Sequence, residues 1–218
     1  MTMQTDRPRR KRETPGEKLH RLTEIERALW AEGRAVAGMD EVGRGPLAGP
    51  VVTACVSIPP EKLIAGVDDS KKLSEKRREA LFPLLMEAAD YADTCFIAPE
   101  VIDEINILNA TKRAMEACAA GFGGDIILID AVEGLRLPCP ARALVHGDAL
   151  SYMIGAASIV AKVTRDRYMA ELDEKYPMYC FARNKGYGTA EHIAALKRYG
   201  PCPAHRRSFI RGILERQP

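Results

Sequence analysis

The sequence predicts an α/β fold with a mixed five-stranded sheet flanked by helices. Short runs of apolar and β-branched residues are separated by segments with helical spacing of their apolar residues, the pattern of strands joined through helices. The first two strands lie close enough along the chain to form an antiparallel hairpin, whereas strands joined through helices are typically parallel. We therefore expect both kinds of strand pairing in one sheet.

Five segments carry the strand pattern. RAVAGMD and AGPVVTACVSI form the expected hairpin through a GRGP turn, and the other strands are DTCFIA, DIILID and ARALVHGD. The strands are predicted at residues 34–40, 48–58, 93–98, 125–130 and 141–148.

Helices are predicted around these strands. Apolar residues recur at helical spacing from Leu19 to Trp30, and Gly33 follows as a stop signal. Ser74 is a suitable N-cap for the next helix, which Pro83 is expected to kink or shorten. The other helices are predicted within 99–120, from Ser151 to about Lys175, and from Thr189 to Gly200, where regular structure is expected to end.

Charge is distributed unevenly along the 218 residues, although the formal net charge is +2. Residues 1–12 carry +4 and residues 183–218 carry +6, which leaves −8 for residues 13–182. Basic ends around an acidic middle indicate a polyanion held at the edges while the acids bind metal, although basic tails are also common as solvated segments. Residues 1–16 are predicted to be a disordered basic tail, and residues 17–218 to form one folded domain.

The composition, with 46% hydrophobic and 28% charged residues, is that of an ordinary globular protein. No apolar run reaches the roughly 20 residues that span a bilayer, and the N-terminus lacks the apolar core of a signal peptide, so a cytoplasmic location is expected. The six cysteines show neither CxxC pairs nor zinc-site spacing with histidine. We expect reduced thiols rather than zinc sites or disulfides.

Three predicted strands end in aspartate, at Asp40, Asp130 and Asp148, and Glu41 directly follows the first. If these strands are parallel neighbours, the carboxylates meet at the carboxyl edge of the sheet, where open α/β folds bind ligands. Crowded carboxylates repel one another unless cations neutralise them, and oxygen ligands suit Mg²⁺ or Mn²⁺. The pattern indicates a site for a pair of divalent ions, while aspartates that only cap turns are the alternative.

A glycine-arginine-glycine turn follows these acids. Gly43 and Gly45 allow the backbone to approach a ligand, and Arg44 can offer its planar guanidinium to phosphate or to a neighbouring carboxylate. Such turns are frequent, so it is the position directly after Asp40 and Glu41 that favours a binding role.

Six sequence blocks together resemble ribonuclease HII over about residues 19–210: GMDEVGRGPLAGPVV, DDSKKLS, INILNAT, GDALS, AASIVAKVTRDR and KGYGT…HRRSF. The resemblance implies a ribonuclease H-like fold, with residues 17–218 as the catalytic domain including a C-terminal helical segment. It implies a metal-dependent endonuclease that cuts the RNA strand of RNA/DNA hybrids and single ribonucleotides in duplex DNA. Mn²⁺ or Mg²⁺ is the implied cofactor. Nucleic acid is the implied partner of a monomer that contacts no membrane and needs no protein partner.

The resemblance also assigns roles to individual residues. Metal binding and catalysis fall on Asp40, Glu41, Asp130 and Asp148. Implied substrate contacts are Gly43, Arg44, Gly45, Ser70, Lys71 and Tyr187, with Lys185, Arg206 and Arg207 on a possible duplex surface. The glycine-arginine-glycine backbone is implied to contact the 2′-hydroxyl, the group that distinguishes RNA from DNA. Tyr187 is implied to pack on the sugar at the RNA-to-DNA junction, and Ser70 and Lys71 to contact phosphate.

The chain departs from the family pattern near the third and fourth acids. His146 and Leu150 stand where many members have lysines, and Ala131 stands where glycine is common. Loss of two positive charges is expected to weaken substrate binding or to alter the metal preference.

Three other hypotheses are open at this point. Ribonuclease HIII is a related enzyme, but it lacks the arginine between the glycines and has an added N-terminal domain, for which the residues before Asp40 are too few. A catalytically weak module that binds hybrids through its basic ends would gain nothing from four acids that face a polyanion. A structural α/β protein with capping acids would bind neither Mg²⁺ nor Mn²⁺ in calorimetry.

We predict that Asp130→Asn binds an RNA/DNA hybrid yet barely cuts it, because hydrolysis depends on the metals that this carboxylate holds. Binding is measured by fluorescence anisotropy and cutting by gel analysis of a labelled hybrid. Equal cutting by the variant and the parent would remove Asp130 from the metal site.

Overall fold

The computed structural model describes residues 13–130 and 132–215. Within them, five strands form one sheet in the order β3-β2-β1-β4-β5. The strands are β1 (Val36–Val42), β2 (Val51–Ser57), β3 (Tyr91–Ile97), β4 (Ile126–Asp130) and β5 (Ala141–Leu144). The helices are α1 (Pro15–Leu22), α2 (Glu24–Ala31), α3 (Glu75–Ala88), α4 (Pro99–Ala119), α5 (Gly147–Leu150), α6 (Tyr152–Lys175), α7 (Phe181–Asn184), α8 (Ala190–Tyr199) and α9 (Arg207–Leu214).

The sheet is mixed, as the sequence predicts. β2 pairs antiparallel with both β1 and β3, whereas β4 pairs parallel with both β1 and β5. In the central parallel pair, Met39 lies opposite Ile129. The next residue on each strand is an aspartate. Asp40 and Asp130 therefore lie side by side at the carboxyl edge of this strand pair, just beyond its last paired residues.

Helices cover both faces of the sheet, with α6 on one face and α4 on the other. Val36 and Leu128 pack in the core on the α6 side. Side chains alternate between faces along a strand, so Asp40 and Asp130 lie on the α6 face, whereas Glu41 lies on the opposite one. The two adjacent acids therefore approach the carboxyl edge from different faces of the sheet.

Close packing of α6 on β1 depends on Gly38. A Cβ atom at this position would overlap backbone atoms of Met153 and Ile154 in the first turn of α6. Backbone atoms cannot turn aside as a flexible side chain can, so the absence of a side chain lets α6 lie directly against the strand that carries Asp40.

Two helix predictions need correction. The helix expected from Leu19 to Trp30 is divided at Thr23, whose hydroxyl donates to the Leu19 carbonyl at 2.8 Å. Helix α3 begins after the Ser74 cap as predicted, and it is not ended by Pro83, since it continues to Ala88; a kink at the proline stays a prediction.

The prediction that residues 1–16 are disordered is wrong at residues 13–16, and residues 1–12 lie outside the described part of the chain. The Thr14 hydroxyl accepts from the Glu17 N–H at 3.2 Å, and the Glu17 carboxylate accepts from the Thr14 N–H at 2.8 Å. This capping box starts α1 at Pro15. The helix therefore begins two residues before the predicted start of the folded domain at residue 17.

The fifth strand is shorter than predicted and does not reach the last aspartate. β5 ends at Leu144, His146 adopts a left-handed φ of 58°, and Asp148 lies on the one-turn helix α5. The third aspartate therefore enters the site from a helix and not from the end of a strand.

Regular structure extends beyond Gly200, where we expected it to end. Asp103 of α4 accepts hydrogen bonds from the backbone N–H groups of Arg207 and Ser208 at 2.6 and 2.9 Å, which caps α9 from a distant part of the chain. Of the helices that the structure describes, none is long and apolar enough to cross a membrane.

We predict that Gly38→Ala lowers the free energy of unfolding by about 3 kcal/mol, because the added methyl group must displace the backbone of α6. Denaturant unfolding measures this change. Gly123→Ala is the matched control, since no atom lies within 4 Å of its added Cβ, and its change should stay within about 0.5 kcal/mol. Equal unfolding midpoints for the two variants would contradict the prediction.

Candidate active site

The four predicted carboxylates converge at one edge of the sheet. Asp40 and Asp130 lie side by side beyond the paired residues of β1 and β4, and Glu41 follows Asp40. Oδ1 of Asp130 accepts a hydrogen bond from the backbone N–H of Gly147 at 3.1 Å. Because Gly147 begins α5, this bond brings Asp148 to the end of β4.

Lys71 supplies a positive charge within this acidic cluster. It lies on the 3-10 turn Ser70–Lys72, and its Nζ is 3.4 Å from Oδ2 of Asp148. Burial opposes the charged form, but the carboxylates of Asp148 and Asp40 outweigh it and raise the pKa of Lys71. The ammonium group is therefore a counter-ion of the acids, while 79% of its side chain stays exposed.

Burial makes Asp40 a weak acid. Loss of hydration, followed by repulsion from Glu41, raises the pKa of Asp40 to about 7. A hydrogen bond of 2.8 Å from the backbone N–H of Glu41 to Oδ1 offsets this only in part. Burial also raises the pKa of Glu41, against the opposing charge of Arg44. Carboxylates with raised pKa values at a cleft are typical of functional sites.

The donor set fits a hard divalent cation. Among the residues described, no three histidine, cysteine, aspartate or glutamate side chains already form a metal cage. Mg²⁺ sites, however, commonly combine one or two carboxylates with water and substrate phosphates, and all four candidate ligands are carboxylates. A cation beside Asp40 would also relieve the repulsion that raises its pKa. The residues therefore fit Mg²⁺ or Mn²⁺.

The glycine-arginine-glycine loop borders the acids. Gly43 has a left-handed φ of 91°, and a Cβ atom there would overlap the side chain of Arg165, so only glycine fits. Nη1 of Arg44 lies 3.4 Å from Oε1 of Glu41, which joins the loop to the acidic cluster. The predicted substrate loop and the predicted metal ligands thus share one surface.

Tyr187 lies over the second glycine of this loop. The ring is 45% exposed, and its Cε1 lies 3.9 Å from the position that a Cβ atom of Gly45 would occupy. A ring nitrogen of His192 lies 2.8 Å from the Tyr187 carbonyl, and the Leu47 N–H donates to the Gly186 carbonyl at 2.8 Å. These contacts hold an exposed aromatic surface beside a residue without a side chain.

The placement of Arg206 on the duplex surface is wrong. Arg206 is 0% exposed, so it cannot contact a duplex. Its guanidinium donates to the carbonyls of Gly43, Arg44 and Gly49, at 2.6, 2.9 and 3.0 Å. An arginine in a basic segment is normally solvated, but the glycine-arginine-glycine loop covers Arg206.

The other predicted contacts differ in exposure. The Ser70 hydroxyl is buried in a hydrogen bond of 2.8 Å with the hydroxyl of Ser158, so contact of Ser70 with phosphate stays a prediction. Lys185 is half-buried, with Nζ 3.7 Å from Oε1 of Glu75, and Arg207 is exposed. Contact of Lys185 and Arg207 with nucleic acid stays a prediction.

Sequence inspection did not single out three residues that organise the site: Arg78, Ser158 and Arg165. Arg78 donates to the Ser70 carbonyl at 2.9 Å and so holds the turn that carries Lys71. Ser158 and Arg165 lie in AASIVAKVTRDR, one of the blocks that carry the family resemblance. No local sequence pattern in this block shows that Arg165 is buried and not solvated.

The family model described as Ribonuclease HII matches residues 37–212. The chain belongs to the ribonuclease HII family. A ribonuclease HII of Ruminiclostridium cellulolyticum is 49% identical over 202 residues, which cover 91% of this chain and 79% of the relative. The matched region includes all four carboxylates, the glycine-arginine-glycine loop and Tyr187.

Solved structures agree with this assignment. The ribonuclease H2 of Pyrococcus horikoshii OT3 has a TM-score of 0.70 and 28% identity, over 83% of this chain and 97% of that one. Bst-RNase HIII in complex with Mn²⁺ has a TM-score of 0.61 and 18% identity, over 84% of this chain and 65% of that one, a similarity of fold alone. The predicted ribonuclease H-like fold is confirmed.

In this member of the ribonuclease HII family, we predict that Asp40→Asn stabilises the metal-free protein above neutral pH. The pKa of Asp40 is raised from 3.8 to about 7, so the native state keeps a proton that the unfolded state releases. Stability is therefore lost as pH rises from about 4 to about 7. Asparagine does not ionise, so the gain in Tm over the parent in EDTA should be larger at pH 8 than at pH 5.

Thermal unfolding at the two pH values measures this gain. Asp93→Asn makes the same chemical change at an exposed aspartate on β3 and is the matched control. A gain from Asp40→Asn that is equal at pH 5 and pH 8 would contradict the raised pKa.

Proposed function

We propose that this chain is an endonuclease that hydrolyses the RNA strand of RNA/DNA hybrids and incises single ribonucleotides embedded in duplex DNA. Members of the ribonuclease HII family are metal-dependent endonucleases that act on RNA/DNA hybrids. The observation that carries the proposal is the 3.4 Å contact between Glu41 and Arg44, which joins the acidic cluster to the loop expected to contact the 2′-hydroxyl. Cutting and ribose recognition would thus occur at one surface.

Asp40, Glu41, Asp130 and Asp148 would hold Mn²⁺ or Mg²⁺, with two ions in the substrate complex. Bound ions would activate the attacking water and stabilise the leaving 3′-oxygen, which gives 5′-phosphate and 3′-hydroxyl ends. The donor chemistry supports this assignment, and so does the raised pKa of Asp40, which comes first from burial and then from repulsion by Glu41. Loss of the Asp40 proton near neutral pH would prepare the site for a cation.

Lys71 and Arg44 are exposed cations that pair with acids of the site. Their side chains are 79% and 46% exposed, so each can move from its carboxylate partner to a backbone phosphate. Movement of Lys71 would free Asp148 for a metal ion. Substrate binding and exposure of the metal ligands would then be coupled through one ion pair.

Ribose recognition is assigned to the glycine-arginine-glycine backbone and to Tyr187. The Tyr187 ring would pack on the sugar, while backbone groups of the loop would contact the 2′-hydroxyl, which DNA lacks. Leu150, 47% exposed, presents an apolar surface near Asp148 where many family members have lysine, and His146 likewise replaces lysine. We expect weaker binding of the duplex on this side of the site.

The biological setting that we propose is ribonucleotide excision repair and DNA replication in the cytoplasm. The chain would act as a monomer on hybrid or ribonucleotide-containing duplex, without an obligate protein partner and without contact with a membrane.

The test is cleavage of a labelled DNA duplex that contains one ribonucleotide, with Mn²⁺, Mg²⁺ or EDTA, beside the same duplex made only of DNA. We expect a nick on the 5′ side of the ribonucleotide with one or both metals, no nick in EDTA, and no nick in the all-DNA duplex. If the folded protein does not cut the ribonucleotide duplex with either metal, the enzymatic proposal is refuted and a hybrid-binding module is favoured.

A further inference from the structure

Arg165 and Arg206 are fully buried, at 0% exposure, and donate their hydrogen bonds to backbone carbonyls. Arg165 bonds to Pro50, Lys185 and Ala48, at 2.9, 2.9 and 3.1 Å. Arg206 bonds to Gly43, Arg44 and Gly49, at 2.6, 2.9 and 3.0 Å. The two side chains together bind both ends of the loop that contains the glycine-arginine-glycine motif.

This arrangement is costly for the fold. Within the described residues, neither guanidinium has a carboxylate at salt-bridge distance. Burial lowers the pKa of Arg206 to about 9, and the like charge of Arg165 adds to that effect. A buried cation without a counter-ion costs free energy, so packing stability alone does not account for two of them side by side.

Peptide geometry shows what Arg206 does to the loop. Peptide bonds in the described chain are trans, and in a planar trans peptide the N–H points opposite to the C=O of the preceding residue. With the carbonyls of Gly43 and Arg44 directed at the buried guanidinium, the N–H groups of Arg44 and Gly45 point away from it. Among the described residues, no group accepts a hydrogen bond from either of these N–H groups.

The unpaired N–H groups of Arg44 and Gly45 lie beside the acidic cluster and Tyr187. Arg44 contacts Glu41 of the acidic cluster through its side chain, and Gly45 lies beneath the Tyr187 ring. Two successive N–H groups in a loop that follows a left-handed residue can together bind one oxygen atom or an anion. A sugar that packs on Tyr187 would place its oxygens within reach of them.

We propose that Arg206 is a positioning residue for ribose specificity: it fixes the carbonyls of Gly43 and Arg44 so that the N–H groups of Arg44 and Gly45 face the 2′-hydroxyl of the substrate. Arg165 supports it by binding the Lys185 carbonyl, two residues before Tyr187, to the far end of the same loop. The inference deepens the proposed ribonucleotide-directed activity and depends on it.

The planar fork of arginine, and not its charge alone, is what the proposal requires, because one ammonium group cannot reproduce three fixed donors. Arg206→Lys keeps the charge and Arg206→Met removes it. Arg167→Met is the matched control: this arginine lies on α6 near Arg165, but its side chain is 51% exposed and pairs with Glu79 at the surface.

The main measurement is binding in EDTA, by fluorescence anisotropy, to a duplex with one ribonucleotide and to the all-DNA duplex. We expect the parent and Arg167→Met to bind the ribonucleotide duplex more tightly. Both Arg206 variants should lose most of that preference, while their affinity for the all-DNA duplex stays within about twofold. With Mn²⁺ or Mg²⁺, kcat/KM on the ribonucleotide duplex should fall about 100-fold, the effect of a small displacement of a binding group.

The outcomes separate the two proposals. A parent that does not cut the ribonucleotide duplex refutes the proposed function itself. A parent that cuts this duplex, with Arg206 variants that keep the full binding preference, overturns only the role of Arg206. The same conclusion follows if Arg206→Lys keeps the preference, or if the parent cuts but shows no preference in EDTA.

A measurement on the parent covers the case in which the variants do not fold. In amide NMR spectra recorded in EDTA, the N–H signals of Arg44 and Gly45 should shift on addition of the ribonucleotide duplex and shift less with the all-DNA duplex. Equal shifts with both duplexes, or no shift with either, would overturn the assignment of these two donors to the ribose.

Discussion

Crowding of like charges at the carboxyl edge of β1 and β4 is the constraint on which the rest of the site depends. Parallel pairing sets Asp40 beside Asp130, and burial under α6 leaves little water to screen them. Lys71 and Arg44 each approach one of the acids from a neighbouring loop, with N–O distances of 3.4 Å. A fold selected for stability alone would be better without these acids, and the divalent cation that we propose they hold together would account for their presence.

Arginine has two different functions around this cluster. Arg44 is 46% exposed and carries its charge to the surface beside Glu41. Arg78, Arg165 and Arg206 instead point inward and bind carbonyl groups of the loops that carry the predicted substrate contacts. The loops next to the acids are irregular, so their carbonyls find no partners in a helix or sheet, and buried guanidinium groups satisfy them while fixing the loop shape.

Elements defined by local signals agree best with prediction. Ser151 and Thr189 cap α6 and α8 through hydrogen bonds within their own first turns, and Gly200 ends α8, all as the sequence predicts. Disagreements occur where a local signal competes with packing or hydrogen bonding elsewhere. α3 continues through Pro83, and a capping box starts α1 inside the segment predicted to be disordered.

The sequence by itself determined the mixed α/β sheet, the four acids, the glycine-arginine-glycine loop and the family, because strand periodicity and the order of the motifs can be read directly along the chain. Tertiary structure alone decided that Asp148 enters from a helix, that the Ser70 hydroxyl is buried and that Arg206 lies inside the protein. Arg206 and Gly43 are 163 residues apart. Whether a basic residue is solvated or buried depends on such distant partners, and no local pattern records them.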